Sequence, residues 1–144
     1  MLIDANILLF AADSNSRFHR AAADWLLERL NGAARVGLPW LSLSAFLRIV
    51  THPRASEHPL SPERAWAHVQ EWLDLPAVWT PGPTARHADV LRGLILTYGI
   101  TGNLVTDAHL AAIAIEHGLT VCSADTDFAR FAEIRWLNPL SPAR

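Results

Sequence analysis

Lysine is absent from this chain of 144 residues, so all twelve of its cationic side chains are arginines. A receiver domain needs a lysine near its phospho-accepting aspartate, and that class is therefore excluded. Cysteine occurs once, at Cys122, which rules out a disulfide framework and fits a reducing cytoplasm. No apolar run approaches the roughly 20 residues of a membrane span, and Asp4 interrupts the first one too early for a signal peptide. We expect a soluble cytoplasmic protein with Cys122 buried as a small apolar side chain.

A basic excess is also missing, because the net charge is −2. This counts against a generic nucleic-acid binder, which carries a positive footprint. Arginine alone nevertheless suits bidentate contacts with phosphate, although the bias of a GC-rich genome explains the same composition. With 51% apolar residues, the length fits one compact domain over residues 1–144.

Short apolar runs alternate with segments of helical periodicity. The predicted strands cover residues 2–3, 35–38, 77–79, 119–122 and an edge strand at 134–137, and the predicted helices cover 19–30, 39–51, 61–75, 83–98 and 106–117. Strands separated by helices imply a mainly parallel sheet with helices on both faces. The expected fold is a three-layer α/β/α sandwich with a sheet of four or five strands.

The stretch from residue 39 to 75 contains no convincing strand, so we expect a helical arm packed beside the sheet. Trp40, Trp66 and Trp72 are predicted to face its core. An exposed patch there would instead indicate a dimer or partner surface. The proline-bearing tail, residues 138–144, is predicted to be loose.

Four aspartates follow strands or open helices. Asp4 ends the first strand, Asp107 lies in the first turn of a helix predicted to have Thr106 as its N-cap, and Asp125 and Asp127 follow the strand at 119–122. Each could merely cap a turn or helix. However, the carboxyl ends of parallel strands share one edge, so the four acids are predicted to converge there.

Converging carboxylates need compensation, because two of them about 4 Å apart repel by roughly 4 kcal/mol at an effective dielectric near 20. Mg²⁺ or Mn²⁺ fits best, since these hard cations prefer carboxylate oxygens and bridge to phosphates. Zinc fits less well, because no Cys and His cluster with zinc spacing is present. No histidine is assigned a catalytic role; His109, two residues after Asp107, points to another side of the helix. Arg130 is a weaker candidate for holding a substrate phosphate.

Asp4-Ala5-Asn6 places an acid and an amide on one side of a tight turn, where the amide of Asn6 can hold a water or a backbone group. A phosphatase of the haloacid dehalogenase type needs a second acid at the position of Asn6, which largely removes that alternative.

Three motifs carry a resemblance to a known family. Met-Leu-Ile-Asp-Ala-Asn-Ile-Leu-Leu-Phe-Ala at 1–11, Gly-Asn-Leu-Val-Thr-Asp-Ala-His-Leu-Ala-Ala at 102–112 and Ser-Ala-Asp-Thr-Asp-Phe-Ala-Arg-Phe at 123–131 resemble the motifs of PIN-domain ribonucleases. The similarity is closest to VapC-type toxins of bacterial toxin–antitoxin pairs, and it includes the Phe-Leu-Arg-Ile-Val-Thr-His-Pro-Arg stretch at 46–54.

The resemblance implies a Mg²⁺- or Mn²⁺-dependent endoribonuclease acting on RNA such as tRNA or rRNA, a homodimer, and inhibition by a cognate VapB-type antitoxin. Asp4, Asp107 and Asp125 correspond to metal-binding acids, with Asp127 adjacent as a further catalytic acid. Asn6, Asn103 and Ser123 match polar positions that line such sites.

One position departs from the family pattern. Many members carry a Glu three residues before the arginine of the middle helix, and here Ala45 precedes Arg48 at that spacing. A missing ligand favours one metal over two, with Ser44 or a water filling the gap. It also leaves open a degenerate PIN domain that binds antitoxin or RNA without cleaving.

Overall fold

The structure, a computed structural model, describes residues 1–141. In these residues five strands alternate with six helices and one 3-10 turn. Their bounds are β1 Leu2–Ile3, α1 Ala5–Ala12, α2 His19–Leu30, β2 Val36–Gly37, α3 Trp40–Val50, α4 Pro62–Leu73, β3 Val78–Trp79, α5 His87–Tyr98, α6 Leu104–His117, β4 Thr120–Cys122, the 3-10 turn Thr126–Arg130, and β5 Arg135–Leu137.

The strands form one sheet in the order β3-β2-β1-β4-β5, and every pairing is parallel. β1 is central, with Leu2 in register with Gly37 of β2 on one side and with Val121 of β4 on the other. The predicted parallel α/β sheet is confirmed, with five strands.

Alternate residues of the central strands supply two separate cores. Leu2 and Val121 pack with Phe128 in one apolar cluster, whereas Ile3 and Cys122 pack in the other. Because neighbouring residues of a strand point to opposite faces, two-residue strands are enough to anchor both helical layers. The three-layer arrangement is therefore confirmed, and Cys122 is fully buried, as expected.

Helix starts follow local chemistry in some places and long-range contacts in others. The start of α4 is as predicted, because Ser61 accepts a hydrogen bond from the Arg64 amide and Pro62 occupies the first turn. The prediction that Thr106 caps α6 is wrong, since that helix already begins at Leu104.

The helix α5 also begins later than predicted, at His87 instead of residue 83. The preceding segment is held by Glu116 of α6, whose carboxylate accepts hydrogen bonds from the amide and the hydroxyl of Thr84, at 2.8 and 2.6 Å. This contact spans 32 residues of sequence, so no local pattern could reveal it.

The tryptophans of α3 and α4 are only partly where the sequence placed them. Trp72 is buried against Phe46, as predicted, with ring centroids 5.0 Å apart. The prediction is wrong for Trp40 and Trp66, which are 47% and 44% exposed. α3 and α4 do pack beside the sheet through Phe46 and Trp72, so the helical arm is present.

The tail is not uniformly loose. Residues 138–141 form a turn in which the Leu140 amide donates to the Asn138 side chain, and Leu140 packs against the core. Residues 142–144 lie outside the described part of the chain. No helix within residues 1–141 is long and apolar enough to cross a membrane.

Gly37 of β2 has little room for a side chain. A Cβ atom there would approach Cγ of Pro81 to 2.9 Å and the backbone oxygen of Met1 to 3.0 Å. We expect Gly37→Ala to lower the free energy of unfolding by about 1–3 kcal/mol, the usual effect of overpacking. The control is Gly93→Ala in α5, where a Cβ atom meets nothing within 4 Å. Because alanine is favoured over glycine inside a helix, this substitution should raise the free energy of unfolding by about 0.5–1 kcal/mol. Urea titrations measure both; equal effects of the two substitutions would contradict the packing at Gly37.

Candidate metal centre

The four aspartates come from neighbouring parts of one sheet edge. β1 and β4 are adjacent, and the Asp4 amide donates to the Cys122 carbonyl at 3.0 Å, so the two strands end together. Asp4 directly follows β1, and Asp125 is the N-cap of the 3-10 turn that follows β4. Asp107 comes from the start of α6. The topology thus gathers acids that are more than 100 residues apart in sequence.

Three of the acids form a compact group. Single carboxylate oxygens of Asp107, Asp125 and Asp127 lie within 4.8 Å of one another, and all three side chains are partly exposed. Asp127 therefore takes a more central position than the sequence suggested, since it was expected only beside the metal-binding acids. Asp4 lies next to this group and outside it.

Asp4 is the most constrained of the acids. One of its oxygens accepts from the Ala5 amide at 2.8 Å, which makes Asp4 the N-cap of α1. The other accepts from the Ser123 hydroxyl at 2.7 Å and the Asn6 side-chain amide at 3.3 Å. The capping role and a place in the site are therefore compatible in one side chain.

Hydrogen bonds of Asn6 and Ser123 connect the residues that follow β4 to those that follow β1. The Asn6 amide donates to the Ser123 hydroxyl at 2.9 Å, and its carbonyl accepts from the Ala124 amide at 3.2 Å. The Ser123 hydroxyl also accepts from the Asp125 amide at 3.0 Å. These bonds fix the backbone that carries Asp125 relative to Asp4. Ser123 is fully buried, so the network is held away from competing water.

The site has an excess of negative charge. Burial, and then the nearby carboxylates of Asp125, Asp4 and Asp127, raise the pKa of Asp107 to about 6, against a smaller opposing effect of Arg130. Burial also raises the pKa of Asp4, although hydrogen bonds from Ser123 and Ala5 act in the opposite direction. A bound cation would relieve both effects.

Ala45 forms part of the wall of the cleft between Asp4 and Asp107. Leu41 and Ser42 of α3 line the same cleft. Ser44 is exposed and does not line this cleft, so the structure does not support it as the replacement for the family Glu. The buried Ser42 hydroxyl instead donates to the Ile3 carbonyl at 2.7 Å, which fixes the end of β1. Sequence reasoning missed this supporting residue, since nothing local marks a contact across 39 residues.

Two outer residues flank the acids differently. Arg130 donates to the Asp127 backbone oxygen at 3.0 Å and to its carboxylate at 3.2 Å, so its guanidinium is directed at an acid. Asn103 is exposed, and its side chain does not cap α6. It lies four residues before Asp107, which places the two on the same side of the helix.

His109 lies apart from the acids, as expected. Its ring centroid is 4.8 Å from that of His87, and the histidine pair packs between α5 and α6. His87 is 2.6 Å from the Glu116 carboxylate. Burial, followed by the nearby His87, lowers the pKa of His109. His87, His109 and Glu116 thus form a polar cluster between α5 and α6.

The donor set fits a hard divalent cation. Three clustered acids and an adjacent fourth offer only oxygen ligands, and oxygen ligands suit Mg²⁺ or Mn²⁺. The fold and the site together define a parallel three-layer α/β protein with a carboxylate centre at the carboxyl edge of its sheet.

Comparisons with known proteins agree with this class. The family model described as PIN domain matches residues 1–134. Ribonuclease VapC37 of Mycobacterium tuberculosis is 43% identical over 138 residues, covering 96% of each chain. Ribonuclease VapC33 of the same species is 43% identical over 139 residues, covering 95% of this chain and 96% of the relative. The chain belongs to the PIN-domain family.

Solved structures share the fold at lower identity. VapC20 of Mycobacterium tuberculosis, described as a sarcin-ricin loop cleaving toxin, has a TM-score of 0.67 at 16% identity, covering 93% of this chain and 98% of its own. VapBC2 from Rickettsia felis has a TM-score of 0.69 at 17% identity, covering 95% of this chain and 96% of its own.

Proposed function

We propose that this protein is a Mg²⁺-dependent endoribonuclease toxin, with Mn²⁺ able to substitute. The observation that carries the proposal is the group of Asp107, Asp125 and Asp127 within 4.8 Å beside the tethered Asp4. Its relatives named Ribonuclease VapC, which match almost the whole chain, support RNA as the substrate. tRNA and rRNA are the substrates we propose to test first.

The chain's own residues divide the work of hydrolysis. Asp107, Asp125 and Asp127 would hold the cation, and Asp4 would add a fourth carboxylate, which Ser123 and Asn6 keep in place by hydrogen bonds. A cation held there would supply the positive charge that polarises a scissile phosphate and lowers the pKa of a nearby water. The second carboxylate oxygen of Asp125 or Asp127 would orient that water and accept its proton as the water oxygen bonds to phosphorus. The P–O bond to the leaving oxygen breaks, and that oxygen takes a proton from solvent. Because Ala45 supplies no carboxylate, we propose that one cation is sufficient.

Regulation is proposed to come from a VapB-type antitoxin, with the toxin acting as a cytoplasmic homodimer. The solved structure of VapBC2 from Rickettsia felis, bound to a DNA fragment from their promoter, supports a protein partner. Expression in a bacterium without a matching antitoxin should stop growth and fragment RNA. Asp4→Asn should relieve both effects at equal protein level; growth arrest by that variant would contradict the assignment.

A second candidate is a degenerate PIN domain that binds antitoxin or RNA without cleaving. Ala45 favours it, since this wall of the cleft carries a methyl group where many family members have a carboxylate. The retained acid group favours the enzyme. Metal binding without cleavage of any RNA would select the binding protein.

Metal affinity should depend on pH through Asp107. With its pKa raised to about 6, this carboxyl is largely protonated at pH 5 and ionised at pH 7.5, so Mg²⁺ or Mn²⁺ should bind about tenfold more weakly at pH 5. The stability of the metal-free protein should change with pH in the opposite direction to its metal affinity. Because the pKa of Asp107 is higher in the folded than in the unfolded state, stability falls as pH rises from about 4 to 6. Calorimetric titration of Mn²⁺ at both pH values tests this; equal affinities would contradict the raised pKa.

A further inference from the structure

The two exposed tryptophans of α3 and α4 form an ordered pair. The rings of Trp40 and Trp66 are 6.4 Å apart between centroids and lie within 15° of parallel. At a contact separation of 3.5–4.0 Å, this distance implies a lateral offset of roughly 5 Å. Each indole therefore leaves much of its face uncovered, and the exposures of 47% and 44% agree with this.

One member of the pair opens the helix whose first turn lines the acid cleft. Trp40 is the first residue of α3, and the next two residues, Leu41 and Ser42, line the cleft together with Asp4 and Asp107. A polymer lying across the cleft therefore passes the end of α3 that carries Trp40.

The size of the surface favours a nucleobase over a second protein. Together the two side chains expose roughly 200 Å², given the usual area of a tryptophan side chain. A stable protein interface needs about 800 Å² from each partner. The other large exposed apolar side chains lie on other elements: Leu27 on α2, Leu96 on α5, Val105 on α6 and Leu137 on β5.

Flat, uncovered aromatic faces are what unpaired bases stack on. Sequence-tolerant stacking of this kind contributes about 1–3 kcal/mol per base. Bases inside a duplex are already stacked and cannot use it, so a stacking site selects loops and single strands.

We propose that Trp40 and Trp66 form a stacking platform for an unpaired base of the RNA that enters the acid cleft. The proposal rests on the proposed ribonuclease function and refines it, because it names two side chains outside the acid group that contact the substrate. Cleavage of the RNA takes place at the carboxylates, and the two tryptophans position the nucleotides beside the cleaved bond.

The test measures binding separately from cleavage. Full-length protein in EDTA is titrated into a fluorescein-labelled single strand of randomised sequence and into a duplex, and anisotropy gives the affinities. Trp40→Ala should weaken single-strand binding about tenfold or more, whereas Trp40→Phe keeps an aromatic face and should retain most of it. Leu96→Ala is the matched control, since it removes an apolar side chain that is 64% exposed on α5.

The outcomes separate this proposal from the nuclease assignment. Unchanged single-strand affinity in both Trp40→Ala and Trp66→Ala, with folding verified by circular dichroism, would overturn the platform even if the wild type cleaves RNA. A smaller oligomer on size-exclusion chromatography with unchanged RNA affinity would overturn it in favour of a second copy of the chain. If Trp40→Ala loses single-strand binding and the wild-type protein cleaves no RNA, the platform is supported and the nuclease is rejected.

Discussion

Replacing Asp107 with Asn is expected to abolish metal-dependent RNA cleavage while leaving the fold intact. Asp107 lies within 4.8 Å of Asp125 and Asp127, and an amide is a poorer ligand for Mg²⁺ than a carboxylate. We expect the cleavage rate to fall by at least about 100-fold, the scale on which one electrostatic stabiliser acts. Asp4→Asn should reduce cleavage similarly. Asp4 lies at the same edge of the sheet, where its carboxylate accepts a hydrogen bond from the Ser123 hydroxyl.

Asp107→Asn should not lower the stability of the metal-free protein, although it abolishes cleavage. Burial and like charges raise the pKa of Asp107 to about 6, so its ionised form is unfavourable in the metal-free protein at pH 7. Asp107→Asn removes that charge and should leave the melting temperature equal or higher without metal. Asp89→Asn in α5 is the matched control, since it removes one exposed carboxylate distant from the site in sequence. A lower melting temperature together with lost activity would instead indicate a structural role for Asp107.

The largest effect on stability is expected from Phe46→Ala. Phe46 is fully buried between α3 and α4, with its ring centroid 5.0 Å from that of Trp72 and 6.1 Å from that of His68. Truncation leaves a cavity, and the free energy of unfolding should fall by about 3–5 kcal/mol. Guanidinium denaturation followed by circular dichroism measures it.

An exposed apolar position provides the comparison for Phe46. Leu27 is 63% exposed on α2, so Leu27→Ala should change stability by less than about 0.5 kcal/mol. If Phe46→Ala cost no more than Leu27→Ala, the packing of the helical arm against the second core would be wrong.

The sheet and most elements could be predicted because their signals are local. Asp4 stops the first apolar run, and Ser61 and Pro62 open α4 through capping chemistry within four residues of sequence. The convergence of the acids followed from a general rule on parallel strands, which the paired ends of β1 and β4 satisfy. Their assignment as metal ligands stays a prediction.

What could not be predicted depends on contacts between distant residues. Trp40 and Trp66 were placed in the core because the sequence shows that both are apolar, but it does not show which helix face the neighbours cover. The start of α5 is set by Glu116 and the end of β1 by Ser42, through hydrogen bonds that span 32 and 39 residues. The central position of Asp127 likewise depends on the path of the 3-10 turn after β4.

The carboxylate nuclease is tested most directly by digestion of total cellular RNA by the purified protein with Mg²⁺ or Mn²⁺, beside EDTA and Asp4→Asn reactions. We expect discrete fragments that require metal and are absent with Asp4→Asn, and their ends would identify the RNA that is cut. Fragments that persist in EDTA, or that Asp4→Asn produces equally well, would contradict a nuclease built on these carboxylates.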